Sequence, residues 1–292
     1  MPDHAIDFFS DAALFLVLAE DYLAAAPVVT NVVATVATRA MAEGRPPTPQ
    51  FWFALLRDDV RVVGVAMRTA PFEPYPLFVC PMPDQAARLL ARSLHERGEH
   101  PGGANGSLPA ARVVAEESAR LWGGRVETAM SSRLWELGEL SVPSGVEGRA
   151  RPATYDDVAV CLAWFNDFDR AAREQAGNAT AAQGGTLFTR EDIRTRIADG
   201  RILLWERDGE VVHMTAVNPS ALGVARIGPV YTPAEHRGHR YASATVAEAS
   251  RRLLSDGVRV CLFTDLDNPV SNRVYARLGF APVVNMANHT LH

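Results

Sequence analysis

Val230-Tyr231-Thr232-Pro233-Ala234-Glu235-His236-Arg237-Gly238-His239-Arg240-Tyr241-Ala242-Ser243 is the stretch that decides how this chain folds. Before it, Ala225 to Tyr231 reads as a strand. After it, Ala242 to Leu254 reads as a helix with Ala242, Val246, Ala249 and Leu253 along one face. A strand that feeds a helix through a short loop gathers the unpaired N–H groups of the loop and first helical turn, and the helix dipole adds about half a positive charge there. Such a junction suits a phosphate or pyrophosphate without a metal, and Arg237, His239 and Arg240 add cationic side chains. Taken alone, the loop is equally a solvated basic turn in front of a helix.

Downstream, Val258 to Thr264 is a nearly unbroken apolar run, as in a strand covered on both faces. Asp267-Asn268-Pro269-Val270-Ser271-Asn272-Arg273-Val274-Tyr275-Ala276-Arg277-Leu278-Gly279-Phe280 follows. Its helix has Asn272 to Leu278 as its body, Asn268 as cap and Gly279 as stop. Tyr275 lies one turn beyond Ser271, which turns a phenol toward the side of the helix start. The simpler reading of Tyr275 is a core residue before a Gly-Phe turn. Pro282 to Leu291 reads as a closing strand.

Upstream in the second half, Thr154 caps a helix through about Glu174, and Thr189 caps one that stops at Gly200. Ile202 to Arg207 and Val211 to Val217 flank Asp208-Gly209, a hairpin turn. The first half shows the same order. Leu14, Leu18 and Tyr22 mark one helix, and Pro27 opens another that runs to about Ala42. Phe51 to Leu56 and Val60 to Met67 form a hairpin around Arg57-Asp58-Asp59, and Leu77 to Cys80 is a short strand. Asp84 to Arg97 and Ala110 to Leu121 are helices, and a strand lies near Ser132 to Leu137. The glycines at 98, 102, 103 and 106 read as a flexible connection, and Ser141-Val142-Pro143-Ser144-Gly145 as an interdomain linker. We therefore expect two domains, residues 1–145 and 146–292, that repeat one fold.

The 292 residues are 48% hydrophobic and 22% charged, with a net charge of −5, which is ordinary globular composition and disfavours a general phosphate-backbone binder. All 29 basic residues are arginine. GC-rich codon usage accounts for that simply; the sharper account is an amine-acylating enzyme that spares itself. Cys80, Cys161 and Cys261 are scattered, without CxxC spacing or a histidine pair, which points to a reducing compartment and to no metal. The start, Met1-Pro2-Asp3-His4, lacks a basic region, and the apolar run Ala12 to Ala19 stops at Glu20-Asp21. No run approaches the ~20 apolar residues of a membrane span, so a soluble cytoplasmic protein without membrane or nucleic-acid partners is expected.

With both segments in hand, the sequence resembles the GNAT superfamily of acyl-CoA-dependent N-acyltransferases. The resemblance covers residues 150 to 292 well and the first half only in element order. The family's loop pattern, Arg/Gln-x-x-Gly-x-Gly/Ala, is met by Arg237 and Ala242, with Arg240 standing where glycine is expected. Asn268, seven residues before Tyr275, and Gly279-Phe280 agree with its second motif. The resemblance implies an α/β fold of two GNAT-like domains, each a mixed, mostly antiparallel sheet flanked by helices. The first is a degenerate copy and the second the acyl-CoA-binding, catalytic domain. It implies acyl transfer from acetyl-CoA, or another short acyl-CoA, to a primary amine of a small molecule or peptide by direct attack on the thioester.

Val230, Tyr231, Arg237, Gly238, His239, Arg240, Tyr241, Ala242, Asn268 and Ser271 are then the cofactor-binding residues. A backbone N–H near Val230 polarises the thioester carbonyl, and Tyr275 is the general acid toward the leaving thiolate. Gly228-Pro229 suits a bulge that splays this strand from its neighbour. The strand from Ala225 to Tyr231 supplies no base; His213 and Glu174 are candidates, while Glu235 more simply orients the turn. The first half reads Pro81-Met82-Pro83-Asp84 at the corresponding turn, without the arginine-glycine pattern, so no pyrophosphate site is expected there. The alternative is a catalytically silent acyl-CoA-binding or sensing protein, motivated by Arg240 and the missing base.

Overall fold

The computed structural model describes residues 4–44, 51–69, 76–175 and 188–292, the side chains of 169–175 excepted. They form two compact units, residues 1–134 with 283–292, and residues 135–282. In chain order the first half contributes β1 (His4–Phe9), α1 (Ala12–Ala25), α2 (Asn31–Glu43), β2 (Trp52–Asp58), β3 (Arg61–Arg68), β4 (Leu77–Val79), α3 (Asp84–Glu96), β5 (Gly103–Ser107), α4 (Ala110–Trp122) and β6 (Val126–Leu137). The second half contributes β7 (Arg149–Pro152), α5 (Val158–Gln175), α6 (Arg190–Ala198), β8 (Ile202–Arg207), β9 (Glu210–Val217), β10 (Val224–Tyr231), α7 (Tyr241–Ser255), β11 (Arg259–Asp265), α8 (Pro269–Leu278) and β12 (Phe280–Leu291). One succession of elements thus occurs twice, and the fold is α/β with mostly antiparallel pairing.

In the first unit β1, β2, β3 and β4 pair antiparallel in sequence, and β4 pairs parallel with β5. In the second, β7 to β10 repeat that antiparallel order, and β10 pairs parallel with β11. The closing strands are exchanged. Met286–Thr290 of β12 pair with Ser107–Gly103 of β5, inside the first unit. Trp135–Leu137, the end of β6, belong to the second unit, where β6 neighbours β11. The expected division at residue 145 falls inside this second unit.

Period-two alternation sorts side chains onto two helical layers in each unit. From β2, Phe53 and Leu55 join Phe15, Leu23 and Val33 beneath α1 and α2, while Ala54 and Leu56 join Leu90, Leu94 and Val114 beneath α3 and α4. From β8, Leu204 packs with Cys161, Phe165 and Ile193, and Leu203 with Val246, Leu262 and Tyr275. Sheets covered on both faces read as continuous apolar runs, as these strands do. No described helix is long and apolar enough to cross a membrane.

Several elements differ from the sequence reading. The expected flexible glycine loop contains β5, whose glycines serve close packing: a Cβ on Gly103 would strike the His289 carbonyl, and one on Gly106 the Val79 carbonyl. α2 starts at Asn31 and not at Pro27, because Thr30 turns back to donate its hydroxyl to the Leu23 and Ala26 carbonyls. α8 starts at Pro269, where the missing N–H of proline costs nothing. β1 and β7 were not expected. β7 is fixed to β8 by Arg151, which binds both Glu206 and Asp157.

Candidate functional site

The site grows from a place where strand pairing fails. β10 pairs with β11 from Val224↔Arg259 to Ile227↔Leu262 and no further, although the strands continue to Tyr231 and Asp265. On its other edge the register to β9 slips by one residue between Ile227↔Val217 and Val230↔Thr215, a bulge at Gly228-Pro229. Gly228 has φ +148, and Pro229 has no N–H to give a ladder. Asn218 stitches the bulge: its N–H donates to the Arg226 carbonyl at 2.8 Å, and its amide to the Gly228 carbonyl at 3.1 Å. Beyond Ile227 the edge of β10 therefore stands open toward β11, with Val230 half-buried and Tyr231 buried against Trp164 at 5.6 Å. An extended ligand can add its own amides to such an edge.

The corresponding pair in the first unit stays closed. β4 and β5 are paired to Val79↔Gly106, the end of β4. In the turn that follows, Pro81 and Pro83 lack N–H groups, Met82 is buried, and Asp84 puts a negative charge into the first turn of α3. None of this suits an anion.

The loop after β10 does. A single turn of 3₁₀ helix, Ala234–His236, leads to Gly238 at φ +86 and Arg240 at φ +67, and α7 begins at Tyr241. Arg240 stands in the left-handed conformation that glycine adopts freely, at a cost of ~1 kcal/mol for a side-chain-bearing residue. Its guanidinium donates to the Ser144 carbonyl at 3.3 Å. No side chain caps α7, and the N–H groups of residues 238–243 meet no acceptor among the described residues. Arg237 Nε donates to the Thr232 carbonyl at 3.1 Å. His239 stacks on Tyr241 at 5.4 Å, and Tyr241 is buried, its hydroxyl accepting from Arg207 Nη1 at 3.2 Å. Tyr241 thus offers the loop its backbone and not its phenol. Ala242 keeps the first turn small.

Across the opening, α8 presents Tyr275. Asn268 Oδ1 accepts the Ser271 N–H at 3.1 Å and caps the helix, and Gly279 ends it at φ +100, where a Cβ would strike the Glu139 carbonyl. Tyr275 is buried, its ring edge-on to Phe280 at 5.9 Å, and burial raises its phenol well above the usual tyrosine range. A hydrogen-bond chain holds the helix start: Trp135 Nε1 donates to Thr264 Oγ1, which donates to Asn272 Oδ1, whose amide donates to the Asp265 and Leu266 carbonyls. Sequence reasoning missed the parts played by Asn218, Thr264, Asn272 and Trp135. Asn272, one turn before Tyr275, carried the one available signal.

Of the base candidates, Glu174 lies outside the described side chains. His213 is fully buried, and its two ring nitrogens meet Thr232 Oγ1 at 2.7 Å and Thr215 Oγ1 at 2.8 Å. Burial pushes its pKa down to about 3. Glu235 is exposed and borders a recess of about 400 Å³ beside Trp164, Tyr231 and His236.

Residues 162–280 match the family model described as the acetyltransferase (GNAT) family. These residues form a GNAT domain. It includes the open strand edge, the loop after β10 and α8. Mycothiol acetyltransferase from Arthrobacter sp. (strain FB24) is 31% identical over 158 residues, 50% of this chain and 45% of the relative. The match therefore spans less than half the length of that relative. Among solved structures, a GCN5-related N-acetyltransferase from Sphaerobacter thermophilus aligns over 99% of this chain and 96% of its own, with TM-score 0.55 and 16% identity. A tandem GNAT protein from the clavulanic acid biosynthesis pathway aligns over 99% and 98%, with TM-score 0.53 and 17% identity. At these identities the likeness is one of fold, and it extends over both halves of the chain.

Proposed function

We propose that the protein is an N-acyltransferase that uses acetyl-CoA, or another short acyl-CoA, to acylate a primary amine of a small molecule or peptide, with the second unit, residues 135–282, as the catalytic domain. The observation that carries the reading is the open edge of β10 beyond Ile227, directly before a loop of free N–H groups. The extended pantetheine arm adds to that edge, and the pyrophosphate sits on the N–H groups of residues 238–243 beside Arg237, His239 and Arg240. Val230 and Tyr231 supply backbone along the arm, and Asn268 and Ser271 border it at the start of α8. An N–H of β10 at the bulge polarises the thioester carbonyl as charge develops on its oxygen.

The attacking amine must arrive neutral and lose a proton, and the leaving thiolate must gain one. Tyr275 supplies the second: burial holds the phenol protonated, so it is a hydroxyl when the thiolate departs. His213 does not supply the base, because both ring nitrogens are bonded and solvent does not reach it.

A second reading, a non-catalytic acyl-CoA sensor, is favoured by that sealed histidine and by Arg240 in the place of glycine. Calorimetry with acetyl-CoA and with CoA, followed by turnover on a panel of amines, separates the two. Micromolar binding with turnover that Tyr275→Phe slows supports the enzyme; binding without turnover on any amine supports the sensor. Absence of binding to either form overturns both.

A further inference from the structure

His213 is excluded as a base, yet a fully buried imidazole needs partners for its nitrogens, and His213 bonds both, one of them to Thr232 at the root of the loop after β10. Thr232 is the first residue beyond β10 and stands opposite His213 in the continuation of the Tyr231↔Met214 register. It has two bonds of different origin. Its hydroxyl meets His213 Nδ1 at 2.7 Å, and its carbonyl accepts Arg237 Nε at 3.1 Å. Thr215, which holds Nε2, is fully buried and faces Val230 across the sheet. His213 therefore ties Thr232, at the root of the loop, to Thr215 of its own strand β9, which pairs with Val230 beside the open edge.

We propose that His213 is a positioning residue for the anion loop: it fixes Thr232, and the Thr232 carbonyl then fixes the Arg237 guanidinium. The proposal rests on the acyl-CoA reading of this loop. A neutral imidazole suits the task. One nitrogen donates while the other accepts, so both threonine hydroxyls are oriented without a charge being buried under the loop.

The asymmetry of the ring gives the test. An asparagine amide reaches the place of Nδ1, and a glutamine amide the place of Nε2. His213→Asn keeps the contact to Thr232; His213→Gln keeps only the contact to Thr215. Calorimetric CoA binding is expected to stay within about twofold of wild type for His213→Asn and to weaken about tenfold for His213→Gln. Thr232→Val is expected to weaken binding as His213→Gln does, and Thr232→Ser to restore it. Melting temperatures of all four variants separate loss of the loop from loss of the fold, and if His213→Gln does not fold, the Thr232 pair decides. Equal weakening by the Asn and Gln variants, or wild-type binding by Thr232→Val, overturns the proposal. If wild-type protein itself does not bind CoA, the acyl-CoA reading fails and this proposal with it.

Discussion

The indole N–H of Trp135 donates to Thr264 Oγ1 at 2.8 Å, which brings a residue of the first half of the sequence into the hydrogen-bond chain at the start of α8. Thr264 passes the constraint to Asn272 at 2.6 Å, one turn before Tyr275. Thr264→Val removes both of these bonds at a buried position. The expected outcome is a loss of about 1–3 kcal/mol in urea unfolding. With an acceptor in hand, kcat is expected to fall more than KM changes, and Thr264→Ser to retain both.

Arg240→Gly tests the loop backbone. Glycine relieves the left-handed residue of ~1 kcal/mol but forfeits the exposed bond to the Ser144 carbonyl, which contributes less. A small rise in melting temperature is expected, with acetyl-CoA affinity unchanged or tighter by calorimetry. A clear loss of affinity would instead assign the guanidinium a direct contact with the cofactor.

Asn218→Ala tests the bulge. It leaves the Gly228 carbonyl without its side-chain donor while the backbone bond from residue 218 to Arg226 persists. Weaker binding of acetyl-CoA by about fivefold to tenfold is expected, with a small change in melting temperature. An affinity equal to wild type would show that the bulge holds its shape without the clamp.

In the first unit, Glu117 is buried and its carboxylate is held at about pKa 2, first by the side-chain bonds from Arg120 and then by those from Arg92. A depressed carboxylate pKa contributes stability that is complete above the unfolded value near 4.5 and is lost as pH falls toward 2. The arginines are half-exposed, so water screens part of the attraction, and on the order of 2 kcal/mol is expected. Urea unfolding at pH 7, 5 and 3 checks it: wild type should lose stability across the acid range more steeply than Glu117→Gln. Parallel curves would remove Glu117 from the account.

Where the physics is local, the sequence was readable. Asp208 and Gly209 take φ +51 and +82, as a tight hairpin turn requires, and Thr189 exchanges bonds with Asp192 in a capping box. Asn268 caps α8 as its position suggested. Where structure depends on distant partners, local signals fail. Gly103 to Ser107 has a loop's composition and becomes a strand because Leu77–Val79 and residues 286–290 lie against its two edges. Asn218 and Thr264 are ordinary polar residues until the bulge and the end of β11 give them carbonyls and an indole to bind. Tyr275 was found through the resemblance; that its phenol is buried follows only from packing.

The exchanged strands set a timetable for synthesis. The first unit is completed by residues 283–292, so β5 waits for its partner until nearly all 292 residues have been made. Translation cannot finish one unit before starting the other, and during that interval the edge of β5 is bare to other nascent chains. A gene cut at residue 145 would yield two pieces, each missing a strand that the other carries. Co-expression of the two pieces, and not either alone, is the way to recover a soluble product.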